Sequence, residues 1–179
     1  LTGITTQEEL AGRHLCDTKP MIEGIILFSH GSVLCGAEQN LLQLAETMRK
    51  LAPGEIVEVG FLNYTTPDFA TAVERCVAAG ATRITIAPYF LISGKFVTED
   101  LPGQIDEARA RYPGVIFLTA PPIGDHPLLP SAVTAAAASP QTVTFWREQA
   151  ALARPFCRAN PRCPLYQGEY CAVKKEAVV

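Results

Sequence analysis

Four short apolar runs, each too brief for a helix and separated by helically spaced stripes, constrain this chain more than any other feature. They are Glu23–Ser29 (EGIILFS) and residues 55–62 (EIVEVGFL), 83–91 (RITIAPYFL) and 115–121 (VIFLTAP). Near-continuous apolar runs of this length suit strands buried on both faces of a parallel sheet. Between them, Leu41, Leu44, Ala45, Met48 and Leu51 form one stripe, closed by Pro53-Gly54. Phe69, Ala72, Val73, Cys76 and Val77 form a second, ending at Gly80 where a helix terminus favours glycine. Pro102 opens a third, with Ile105, Ala108 and Tyr112 facing inward, and an alanine-rich segment over 128–138 follows the last run. The alternation implies right-handed crossovers and a three-layer α/β lobe around a four-stranded parallel sheet.

That lobe is expected over residues 23–139. Residues 1–22 form an N-terminal extension in which Thr6 and Glu9 make a capping box. Residues 140–179 hold a helix over 141–153 and a cysteine-rich C-terminal extension. Leu1 rather than Met stands first, compatible with a processed chain or a fragment. The 179 residues carry 15 basic and 18 acidic side chains, net −3, and no stretch concentrates Lys or Arg, so a nucleic-acid partner is not expected. The apolar runs are broken by Gly, Pro or charge, which argues against a membrane-spanning helix. The N-terminus lacks the basic-then-apolar pattern of a signal peptide, so a cytoplasmic address is the expectation.

In a parallel α/β sheet, ligands bind beyond the carboxyl ends of the strands. Three loops there carry polar chemistry. Ser29-His30-Gly31-Ser32 follows the first strand, and a neutral imidazole at that point can hold Fe, Co, Ni or Zn and can take up a proton. The competing reading is a histidine satisfied by local hydrogen bonds. Residues 93–102 (SGKFVTEDLP) follow the third strand, where Gly94, the acidic pair Glu99-Asp100 and Pro102 could shape a pocket, or Asp100 could simply cap a helix. Residues 121–127 (PPIGDHP) follow the fourth, where His126 as a second ligand competes with simple turn chemistry.

Four stretches together resemble the class II tetrapyrrole chelatases of the CbiX type, the sirohydrochlorin cobaltochelatases and ferrochelatases. They are IILFSHGS, VEVGFLNYTTPDFATAV, GATRITIAPYFLISGKFVTEDLP and APPIGDHPLL, in that order across roughly 110 residues. The resemblance implies a lyase that inserts Co2+ or Fe2+ into sirohydrochlorin or a related macrocycle. It makes His30 the transient metal ligand and proton acceptor. Ser32, Gly94, Lys95, Thr98, Asp100 and His126 would bind the substrate, with Arg83 a further donor to its carboxylates. One lobe where a cleft needs two implies a homodimer or a second chelatase lobe. The family's second histidine after strand three is replaced by Phe96, its frequent acidic residue after strand two by Asn63, and its polar stretch after His-Gly-Ser by Val33-Leu34-Cys35-Gly36. The alternative is a non-catalytic tetrapyrrole- or metal-binding module, or a redox sensor, on the same fold.

Of six cysteines, Cys157, Cys163 and Cys171 crowd into fifteen residues of a tail rich in Pro and Arg. Their x5 and x7 spacings fit neither zinc ribbons nor ferredoxins. A tail with no core of its own still points to metal or cluster binding ahead of free thiols or disulfides. Some CbiX-type chelatases carry an iron–sulfur cluster on added cysteines, so the resemblance favours [4Fe–4S] over Zn2+. The fourth ligand would be Cys35, at the carboxyl edge, or alternatively Cys16. Cys76 lies on an apolar stripe and reads as core, and His14 as a solvated side chain.

Overall fold

The computed structural model describes residues 20–143, 155–168 and 171. The Thr6–Glu9 capping box, His14, Cys16 and most of the helix expected over 141–153 lie outside the described residues. Strands and helices alternate as β1 (Glu23–Ser29), α1 (Gln39–Leu51), β2 (Ile56–Phe61), α2 (Phe69–Ala78), β3 (Arg83–Pro88), α3 (Leu101–Arg111), β4 (Ile116–Thr119) and α4 (Leu129–Ala137). All four strands are parallel, in the order β2-β1-β3-β4. This is the expected three-layer α/β lobe.

The pleat of β1 divides the core. Ile26 and Phe28 point to one face, where they meet Phe69 and Val73 of α2 and Leu101 and Ile105 of α3. Leu27 points to the other, against Leu41 and Ala45 of α1 and against Val57, Val59 and Phe61 of β2. Alternate residues of a strand must face opposite ways, so one apolar run builds both halves of the core. Asp68 caps α2 by accepting a hydrogen bond from the Thr71 amide at 2.8 Å; the Thr71 side chain first, and then this amide, hold its carboxyl below the usual range.

The order β2-β1-β3-β4 reverses direction between β1 and β3. The connection after β1 leaves toward β2 and the connection after β3 leaves toward β4, opening a crevice at their carboxyl ends. That position is where His30 follows β1.

Three expectations are corrected. The third strand ends at Pro88 rather than at 91, because Pro88 cannot donate to the ladder, and Leu91 and Ile92 turn out to solvent. Residues 96–100 are not an open loop but a π-helical turn (Phe96–Asp100) running straight into α3; Asp100 makes no capping bond. Burial on both faces fails at β4, an edge strand whose Ile116 and Leu118 are 52% and 45% exposed. Helix α4 buries none of its side chains and packs chiefly against the 3-10 turn Ile123–Asp125. Among the described residues no helix is long and apolar enough to cross a membrane.

Cys76 is fully buried on the inner face of α2, and desolvation, helped by the negative charge of Glu58, pushes its thiol up to about 12. At pH 8 only about one molecule in ten thousand would carry the reactive thiolate there, before shielding is counted. Native protein treated with iodoacetamide should therefore leave Cys76 unlabelled in peptide mass spectra. Labelling should appear together with global unfolding in urea.

Candidate active site

The β1–β2 ladder continues past both strands: the Leu62 amide donates to Ser29 O and the Asn63 amide to His30 O, each at 2.9 Å. Gly31 then takes φ +80, and a Cβ at this position would lie 2.0 Å from the Asn63 carbonyl oxygen. No other residue fits. The turn leaves His30 half-buried at the mouth of the crevice, its Nδ1 3.1 Å from Gly31 O. A carbonyl can only accept, so Nδ1 carries a hydrogen, which in the neutral imidazole leaves the lone pair on Nε2. That tautomer is the one a metal ligand or a proton acceptor needs.

Two aromatic rings flank the imidazole. Phe96 lies 4.4 Å away, tilted by 41°, and Tyr64 meets it edge-on at 5.6 Å. Tyr64 stands at φ +61, an unfavourable conformation for a tyrosine, and half of it is exposed. Phe96 is thus a wall of the site, offering a π face but no lone pair.

The remaining candidate substrate residues are less free than the sequence suggests. Lys95 donates to Asp100 Oδ1 at 2.7 Å and lies 3.8 Å from Glu99, and the Asp100 contact raises its ammonium above the ordinary lysine range. Thr98 turns its hydroxyl back to Gly94 O, while Gly94 faces open space. Ser32 is pinned at both backbone atoms by the Thr65 hydroxyl (3.0 and 3.2 Å) and its own hydroxyl accepts from Leu34. His126 is exposed, with Nδ1 accepting from the Leu128 amide, so it serves its own turn. Arg83 is a correction: it begins β3 at the amino edge and pairs with Glu23 at 2.9 Å, away from the crevice.

The tail docks on the loop that follows His30. Cys35 Sγ lies 3.6 Å from Cys157 Sγ. The Arg158 amide donates to Cys35 and the Ala159 amide to Cys157, each at 3.4 Å. The Ala159 bond lowers the Cys157 thiol, but desolvation and the nearby sulfurs of Cys35 and Cys171 outweigh it and the net shift is upward. Cys171 is buried, and Cys163 donates its amide to Asn160 O within the same turn-rich segment. Among the described residues no three His, Cys, Asp or Glu side chains gather as one metal ion requires. Of the four thiols at Cys35, Cys157, Cys163 and Cys171, Cys35 and Cys157 are in contact, and each of these two sulfurs accepts from a backbone amide.

Residues 24–139 match the CbiX family. The chain belongs to that family. It is 29% identical over 107 residues to the chloroplastic sirohydrochlorin ferrochelatase of Arabidopsis thaliana, covering 60% of this chain and 48% of that protein. It is 35% identical over 81 residues to the sirohydrochlorin cobaltochelatase of Methanocaldococcus jannaschii, covering 45% and 57%. The crystal structure of the sirohydrochlorin chelatase SirB from Bacillus subtilis subspecies spizizenii in complex with cobalt superposes with a TM-score of 0.61 at 29% identity, over 66% of this chain and 50% of that one. The chain spans about half the length of these relatives.

The sequence pointed to His30 on this CbiX lobe and to the cysteines of the tail, but did not mark out Tyr64 and Glu38 on the lobe or Arg158 and Arg162 on the tail. Tyr64 lies inside the stretch that carries the resemblance, and only its φ marks it out. Arg162 lies over its ring at 5.7 Å. Gly31→Ala should cost more than ~2 kcal/mol in urea unfolding, since a strained φ and a backbone clash act together. Gly94→Ala, in open space, should stay within ~0.5 kcal/mol.

Proposed function

We propose that this chain inserts Co2+ or Fe2+ into sirohydrochlorin or a closely related macrocycle. The observation that carries the reading is His30, its Nε2 lone pair held free between two aromatic rings at the switch point of a CbiX-family sheet. Insertion exchanges two pyrrole N–H protons for one divalent cation. Nε2 serves first as a weak ligand that releases the metal, then as acceptor for one departing proton, while the other passes to solvent water. A flat macrocycle suits the faces of Tyr64 and Phe96, with its carboxylates reaching Ser32, Thr98, Lys95, the helix start at 94–100 and the turn of His126. Lys95 stays exposed, so it can exchange Asp100 for a substrate carboxylate at little cost.

The lobe at 23–139 supplies this chemistry, and a homodimer or a second chelatase lobe would complete the cleft. The extension at 140–179 would hold a [4Fe–4S] cluster through Cys35, Cys157, Cys163 and Cys171, with Cys16 the alternative to Cys35 and Zn2+ the alternative to the cluster. Such a cluster supplies one-electron chemistry and ties together distant segments of chain. Free thiols in this number suit the cytoplasm. A second reading, a redox-sensing or tetrapyrrole-carrying module without turnover, draws on Phe96 in place of a second histidine and on the contact between Cys35 and Cys157.

Protein purified anaerobically and mixed with sirohydrochlorin and Co2+ should accelerate the absorbance change of insertion well beyond the uncatalysed rate. His30→Ala should return it to that rate. An unaccelerated wild-type reaction would leave the carrier reading, and full activity in the variant would remove His30 from its role. The same preparation should be brown and contain iron and sulfide in equal amounts; colourless protein holding zinc would overturn the cluster.

A further inference from the structure

We infer that Arg158 is a positioning residue that holds the His30 loop in its working shape and ties that loop to the cysteine tail. The inference rests on the role proposed for His30. Residues 32–38 connect His30 to α1 without regular structure until the turn at 35–38. Their near end is fixed by the Thr65 hydroxyl on both backbone atoms of Ser32. The rest depends on one side chain from the other end of the molecule. Arg158 Nη2 donates to Ser32 O at 3.1 Å and to Leu34 O at 3.2 Å. Its Nη1 lies 3.7 Å from Glu38 Oε1, and its backbone amide bonds Cys35 Sγ. One residue therefore grips the segment at four points. A guanidinium can do this because its donors fan out in a fixed plane; an ammonium cannot.

The Glu38 end of this network is the costly one to disturb. The Glu38 side chain is 12% exposed, and its second oxygen is buried with no hydrogen-bond partner. It lines a cavity of about 200 Å3 shared with Ser29, Gly31 and Ser32, directly behind the His30 turn. Without Arg158 the carboxylate would stay buried beside no positive charge, and the loop would have to open to hydrate it. A second contact works in the same direction: Arg162, four residues on, covers the ring of Tyr64, which itself touches His30. The cysteine segment thus reaches the imidazole through the loop below it and through the ring beside it.

The arrangement also says what Arg158 does not do. Both terminal nitrogens are committed to the loop, so it is not a free donor for a substrate carboxylate. Loss of the side chain should lower kcat while leaving KM for the macrocycle unchanged.

The test uses the full chain, prepared anaerobically, as wild type, Arg158→Ala, Arg158→Lys and Glu38→Gln. Hydrogen exchange read by mass spectrometry should quicken about tenfold over 31–38 in Arg158→Ala, with the strand amides of β1 unaffected. Affinity for Co2+ alone, titrated without macrocycle, should weaken, and kcat should fall about tenfold with KM within a factor of two. Guanidinium ion at non-denaturing concentration should restore part of both losses. Arg158→Lys and Glu38→Gln should fall between the extremes, and they keep the test decisive if the alanine variant does not fold. Unchanged exchange over 31–38 in all variants would overturn the inference, as would a raised KM at constant kcat, which would make Arg158 a substrate-binding residue. If the wild type inserts no metal, the proposed activity fails by itself, while exchange and Co2+ affinity still decide the role of Arg158.

Discussion

The contact between Gly31 and the carbonyl of Asn63 is the constraint on which the site depends. Two strands of a parallel sheet ordinarily part company where their hydrogen bonds end. Here the ladder runs on through His30, and the chain must then turn within one residue against a neighbouring backbone. Absence of a Cβ makes that turn possible. It directs the imidazole across the crevice toward Phe96 and sends residues 32–38 out to the surface that the tail covers.

Charge around His30 is arranged so that little of it is free. Lys95 sits among Asp100 and Glu99 in solvent-exposed pairs, so those pairs can be traded for a ligand's carboxylates. The pair of Arg158 and Glu38 is different in kind, because the carboxylate is largely buried and breaking one partner away leaves an uncompensated charge. The first arrangement belongs to binding and the second to structure. In the role proposed for His30, a single imidazole between aromatic faces would be a weak cation site, as handing a metal to a macrocycle requires. A second histidine at Phe96 would hold the metal more firmly at that stage.

Much of the lobe was legible because its determinants are local. The limits of β1 and the stripes of α1, α2 and α3 follow from runs of apolar residues whose spacing matches the pleat or the helical turn. The ends of β3 and the exposed face of β4 were less so: a run of apolar residues does not say whether its second face will be covered. At the crevice, the position of His30 was readable from its place after a strand, and Cys35 as a neighbour of the tail followed from which edge of the sheet the chain returns to. Arg158, Glu38 and Tyr64 were not readable. Their importance lies in contacts more than a hundred residues apart in the first two, and in one backbone angle in the third.

The tail shows why these long-range contacts matter. Among its described residues only Cys171 is buried, so apolar burial contributes almost nothing to its order. What holds it is a handful of polar contacts on the His30 loop, each worth on the order of 1 kcal/mol net, against a comparable entropy cost for every residue fixed. Such a segment is marginal alone, and the ligand bonds proposed between its cysteines and Cys35 would make it firm. The loop shares that fate, because the residues that anchor the tail are the residues that shape the loop. With the proposed cluster, occupancy at the thiols and order at His30 would therefore be two readings of one equilibrium, joined by the four residues of chain between His30 and Cys35.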